Sequence, residues 1–126
     1  MTRISWPRFL RSVRHAIHGL HHAFKSENNF RIHSLIAVIV VVAVVVFDIS
    51  RVESMIVVLM IASMFILELV NTIVERYADL LEPRVHPYVH IIKDLMAASV
   101  IIAAMTALVI GTMVFWWPVL SRLGFN

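Results

Sequence analysis

Between Trp6 and Phe24 the apolar positions Trp6, Phe9, Leu10, Val13, Ile17, Leu20 and Phe24 recur at i, i+3, i+4 and i+7 separations, with Arg8, Arg11, Arg14 and several histidines between them. One stripe is greasy and the other cationic, so residues 5–26 are expected to form an amphipathic helix lying on a membrane surface. Pro7 falls where a first helical turn tolerates it. The polar positions then disappear. SLIAVIVVVAVVVF, residues 34–47, extends back through Phe30 and Ile32 and forward through Ile49 to give a first membrane span over 30–49. The polar DISRVE, 48–53, reads as a turn. A second apolar run, MIVVLMIASMFIL at 55–67, has thirteen uncharged positions before Glu68. Helical periodicity carries this second span over 53–81, the last part as a cytoplasmic extension. EPRVHP, 82–87, breaks it, because a residue before proline avoids the helical region. A third span over 87–118 contains LMAASVIIAAMTALVIGTMVFWWPVL, whose Trp116 and Trp117 suit an interfacial belt. The predicted fold is all-α and integral to the membrane: three transmembrane helices and an N-terminal amphipathic surface helix, in one domain over 1–126.

Composition sharpens this picture. Of 126 residues, 60% are apolar and 15% charged, far from a soluble balance. The basic first thirty residues lack an uninterrupted apolar stretch ahead of a small-residue cleavage site, so no removable signal peptide is expected. The absence of cysteine removes disulfides, thiolate metal sites and a cysteine nucleophile. With only Gly19, Gly111 and Gly124, neither a Walker A loop nor a dinucleotide fingerprint can be written. The basic residues flank apolar segments and form no patch on a soluble domain, so no nucleic-acid partner is expected. Nine of the eleven Lys and Arg lie in the amino-terminal segment and the 76–93 region, which puts both on the cytoplasmic side.

One pattern departs from membrane filling. At about 100° per residue, Glu68, Asn71, Glu75, Asp79 and Glu82 fall within about 80° of one another on a helix. Glu27, Asn28, Asn29 and Arg31 precede the first span, and Lys93 and Asp94 open the third, so six of the eight acids gather at one membrane face. An intramembrane carboxylate is a functional-site hypothesis by default. Carboxylate and amide oxygens hold Mg²⁺, Arg and Lys meet phosphate oxygens, and a further carboxylate could accept the proton of an attacking hydroxyl. The plain alternative is a solvated helix end. A third reading makes Glu68 the carrier of a small oligomeric proton or cation transporter, and a fourth a catalytically silent assembly subunit. Other signals are weaker. His15, His18, His21 and His22 have metal-compatible spacings, but a helix in the head-group layer explains them more simply. Ala97, Ala104 and Gly111 recur every seven residues with Ala107 nearby, a small-residue face for close helix packing.

ELVNTIVERYADLL followed by HPYVHIIKDLMAASV resembles the ExxNTxxExxxDL and HPxxxxxKD signature of the prokaryotic diacylglycerol kinase and undecaprenol kinase family. SENNFRIH is similar to that family's segment ahead of its first span, and the order of elements agrees from about residue 8 to 117. The resemblance implies a lipid kinase of the bacterial inner membrane with a cytoplasmic N-terminus, ATP as co-substrate and Mg²⁺ as cofactor. It implies Glu68 as general base for the hydroxyl of undecaprenol or diacylglycerol. Glu27 and Glu75 would be Mg²⁺ ligands, Asn71 would order the site, Lys93 and Asp94 would contact nucleotide, and Asp79 would support the cytoplasmic end. Arg8 and Arg31 match family basic positions. Family members are homotrimers with shared sites, which would give the small-residue face a purpose. The chain departs from the family pattern at Ile73, Leu95, Met96 and Ala98, where relatives commonly carry smaller residues. NFRIH and HP lean toward the undecaprenol branch.

Overall fold

A computed structural model of the chain describes residues 5–81 and 88–124. It contains four helices: α1 (Trp6–Ser26), α2 (Asn28–Val46), α3 (Arg51–Leu81) and α4 (Tyr88–Arg122). The described residues contain no strand, and α2, α3 and α4 are long and apolar enough to cross a membrane. The expected break at 82–87, with Glu82, lies outside the described residues.

In α1 the apolar stripe is exposed, Trp6 and Ile17 among its residues, and only Ala23 of this helix is buried. In water that stripe would be costly at about 25 cal/mol per Å², and a helix bedded among lipid head groups removes the cost. A single extended residue, Glu27 at φ −105° and ψ 119°, separates α1 from α2. Its N–H donates to the Ala23 carbonyl at 2.9 Å and closes α1, while its own carbonyl accepts from Arg31 N at 3.4 Å and opens α2. Glu27 therefore occupies the corner where the chain turns from one helix axis to the next.

The first span ends at Val46, three residues before the expected 49, because a Schellman motif stops it. Asp48 takes the left-handed conformation (φ 51°), its N–H reaches the Val45 carbonyl at 3.3 Å, and Ile49 N–H reaches Val44 O at 3.1 Å. Ile49 then packs beside Val44, the hydrophobic contact that accompanies this cap. The helix α3 starts at Arg51, two residues before the expected 53, because Ser50 caps it: Glu53 N–H donates to Ser50 Oγ at 3.3 Å, and the Ser50 hydroxyl donates to the Glu53 carboxylate. The expected six-residue turn is thus four residues, Phe47 to Ser50.

This turn marks the far end of the bundle, opposite the acidic residues. Here Ile49, Val57 and Val114 are buried with Val40, Val44, Phe47, Ile61, Ile110 and Phe115 around them. Arg122 seals it. Its Nη2 donates to the Val46 carbonyl at 2.5 Å, an orphan of the α2 C-terminus, and its guanidinium lies 5.5 Å from the Phe47 ring centroid. Phe47 meets Phe115 edge-on at 6.3 Å. The third span accordingly runs past the expected 118, through Pro118, to Arg122. Pro118 offers no N–H to the Val114 carbonyl, and membrane helices tolerate such a loss.

Helices α2 and α4 both lie against α3 and leave an apolar cavity of about 590 Å³ that runs from this end, at Val57 and Phe115, toward His33, Met64, Ala104 and Gly111. A Cβ at Gly111 would meet nothing within 4 Å. The small-residue face of α4 is therefore not closed by any helix of its own chain, because α4 turns the larger Ile110, Val114 and Phe115 toward the shared core.

Candidate active site

The third helix α3 supplies the site's floor. Residues three and four apart share a helical face, so Glu68, Asn71 and Glu75 follow one another along it. Glu68 is 2% exposed and Asn71 7%, the two buried polar side chains among the described residues. Asn71 Nδ2 donates to Glu75 Oε1 at 2.9 Å. Glu68 Oε2 and Asn71 Oδ1 have no protein hydrogen-bond partner among the described residues. Buried acceptors left unsatisfied are unfavourable in a folded protein unless water, an ion or a ligand completes them. Helix α2 covers this face with Asn29 and His33, one turn apart, both within electrostatic range of the Glu68 carboxylate. Beside them Phe30 is buried against Phe65, with ring centroids 5.1 Å apart, which fixes α2 over α3 at this level.

Glu27 reaches the same cluster from the helix corner and, with Glu75, stands within electrostatic range of Glu68. Its Oε1 accepts from Arg76 Nη2 at 2.9 Å and from Ser26 Oγ at 3.0 Å. The Arg76 hydrogen bond first, and that of Ser26 second, hold the Glu27 carboxyl below its usual range. A carboxyl whose folded-state pKa is lowered contributes stability that is fully present above its unfolded pKa and lost as pH falls through the folded value. The small difference in melting temperature between the wild-type protein and Glu27→Gln is therefore expected at neutral pH and should vanish in acid below the lowered Glu27 pKa. Melting curves across pH check this, and a difference that persists unchanged in strong acid would contradict the pairing.

One level further, Lys93 Nζ meets Asp79 Oδ1 at 2.6 Å and ties the start of α4 to α3. Asp94 is exposed beside it. Arg31 lies exposed in the first turn of α2, donating to Asn28 Oδ1 at 3.4 Å. Arg8 sits in the first turn of α1, nineteen residues before Glu27, hence about 28 Å along the helix from that corner in the same chain. The chain thus brings Glu68, Asn71, Glu75 and Glu27 together, with Asp79, Lys93 and Asp94 along one edge, and leaves Arg8 remote. Arg76 and His33 are contributors that the acidic spacing did not single out.

Among the described residues no three His, Asp or Glu side chains converge closely enough to enclose a metal by themselves. Mg²⁺ is commonly held by one or two carboxylates together with substrate phosphates, and Glu27 and Glu75, both within electrostatic range of Glu68, are carboxylates that could supply such a pair.

The family described as Prokaryotic diacylglycerol kinase matches residues 14–115. The chain is 35% identical over 108 residues to the undecaprenol kinase of Bacillus subtilis, covering 86% of this chain and 88% of that protein. It is 34% identical over 116 residues to the diacylglycerol kinase of Synechocystis sp., covering 91% of this chain and 66% of that longer protein.

Proposed function

The chain belongs to the prokaryotic diacylglycerol kinase family and is a multi-pass membrane lipid kinase, and from that premise we propose that it moves the γ-phosphoryl group of ATP directly to the hydroxyl of a membrane lipid alcohol. The preferred alcohol in this reading is undecaprenol, with diacylglycerol second. The relative matched over most of its length carries the undecaprenol kinase name. The observation that carries the mechanism is the buried Oε2 of Glu68, an acceptor with no protein hydrogen-bond partner among the described residues.

In the proposed reaction Glu68 takes the hydroxyl proton as the lipid oxygen bonds to the γ-phosphorus and the bond to the β–γ bridging oxygen of ATP breaks, releasing ADP. Asn29 and His33 orient the Glu68 carboxylate. Glu75, steadied by Asn71, and Glu27 would hold Mg²⁺, which when bound offsets phosphate charge. Lys93 and Asp94 contact the nucleotide, Asp79 positions Lys93, and Arg31 meets phosphate at the rim. No phosphoenzyme is required. The chain would sit in the bacterial inner membrane with its amino terminus and this site on the cytoplasmic side, as the distribution of Lys and Arg supports. A homotrimer is the proposed assembly: the unfilled small-residue face of α4 offers a neighbour close approach, and a neighbouring chain could bring its Arg8 to a site that its own Arg8 does not approach.

Purified protein in mixed micelles, offered labelled ATP with either undecaprenol or diacylglycerol, tests the reading. Label is expected in undecaprenyl phosphate at the higher kcat/KM. Label in phosphatidic acid alone would reverse the substrate assignment, and ATP-independent ion flux without lipid product would replace kinase action by transport.

A further inference from the structure

The acids Glu27, Glu68 and Glu75 stand close enough to influence one another, so their mutual repulsion needs a positive charge even when no ligand is bound. In this chain Arg76 supplies it to Glu27, through an ion pair between residues 49 positions apart. The contact falls on the Glu27 carboxylate, one of the two groups assigned above to the metal, so a divalent cation must compete with the guanidinium for it. Arg76 is also well placed to leave. More than half of its side chain is exposed, and it borders a cavity of about 700 Å³ between α1 and α3, beside Gly19, Ile73 and Tyr77. A guanidinium carries five donors in a planar fork suited to phosphate oxygens.

We propose that Arg76 is an exchangeable counter-ion: it holds Glu27 in the ligand-free chain, yields that carboxylate to the incoming divalent cation, and turns its guanidinium to the phosphates that arrive with the cation. The inference rests on the assignment of Glu27 to the metal. Its consequence is that Arg76 acts in opposite directions on two ligands. It opposes the metal alone and favours the metal–nucleotide complex. Lys93, by comparison, is paired with Asp79.

Binding of Mn²⁺, followed by the electron paramagnetic resonance signal of the free ion, tests this on the full chain in micelles without turnover. Arg76→Gln is expected to bind Mn²⁺ alone about two- to fivefold more tightly than wild type, the range available from a half-exposed ion pair. It should bind the Mn²⁺ complex of a non-hydrolysable ATP analogue more weakly by a similar factor. Arg76→Lys keeps the charge and loses the fork, so its affinity for Mn²⁺ alone should stay near wild type while that for the nucleotide complex falls. Equal or weaker Mn²⁺ binding by Arg76→Gln, with Glu27→Gln still weakening it, would overturn the counter-ion role and leave the metal assignment standing. Mn²⁺ binding indifferent to Glu27→Gln would overturn both. Should Arg76→Gln fail to fold, Arg76→Lys decides alone: unchanged affinity for the nucleotide complex overturns the proposal.

Discussion

Glu68→Gln is expected to lower lipid phosphorylation by about a hundred- to ten-thousand-fold, the span that a positioned general base contributes, while the protein still folds and binds nucleotide. The substitution is nearly isosteric at a side chain only 2% exposed, so packing around it survives. Thr72 bonds the backbone carbonyl of residue 68 at 3.0 Å, not its side chain, and that helical contact is unaffected. What changes is Oε2, which has no protein partner among the described residues and is replaced by oxygen or NH₂ of a neutral amide, neither able to take up a proton at neutral pH. The measurement is initial-rate lipid phosphorylation alongside binding of a fluorescent ATP analogue. Full activity in this variant would remove Glu68 as the base and return the cluster to a structural role.

Asn71→Leu is expected to reduce kcat/KM by about ten- to a hundredfold, the usual loss when a group that orients a ligand-holding carboxylate is removed. The loss should appear mainly as a raised KM for ATP–Mg²⁺, because the bond broken is the 2.9 Å contact that aims Glu75. Stability should move the other way or not at all. The substitution deletes the buried Asn71 Oδ1, which lacks a protein partner among the described residues, and replacing an unsatisfied polar group by an apolar one of similar shape removes a desolvation penalty. Steady-state kinetics at varied Mg²⁺, paired with thermal melting in the same detergent, separate the two effects. A melting temperature that falls in step with activity would identify Asn71 as scaffolding instead.

Much of this architecture could be read from periodicity. The stripe from Trp6 to Phe24 and three long apolar runs specify helices whatever their neighbours do, since lipid forces backbone hydrogen bonding inside each segment. The ends of helices were harder. Ser50-x-x-Glu53 has the spelling of a helix N-terminus, but next to Asp48 it reads equally as a polar turn, and only the left-handed backbone at Asp48 shows where one helix stops. Nor does the apolar run mark the end of α4, which continues through Pro118 to Arg122, where the guanidinium meets the Val46 carbonyl. Within the site, Glu68, Asn71 and Glu75 were legible because helical geometry alone joins them. The Arg76 contact with Glu27 was not, because it links residues on different helices, and spacing along one helix carries no information about such pairs. The same limit applies to Arg8, whose distance along α1 separates it from the carboxylates of its own chain.

The joint formed by Arg122, Val46 and the Phe47–Phe115 pair makes the bundle a lever with a fixed fulcrum. From Val57, in the clamped region, to Glu68 is eleven residues, or about 16 Å of helix, so a tilt of about 5° about the fulcrum carries the carboxylate about 1.4 Å. A displacement of about 1 Å is enough to change a phosphoryl-transfer rate about a hundredfold. A change of helix tilt, one way in which a span meets a bilayer of different thickness, would therefore displace Glu68 far more than the residues at the joint.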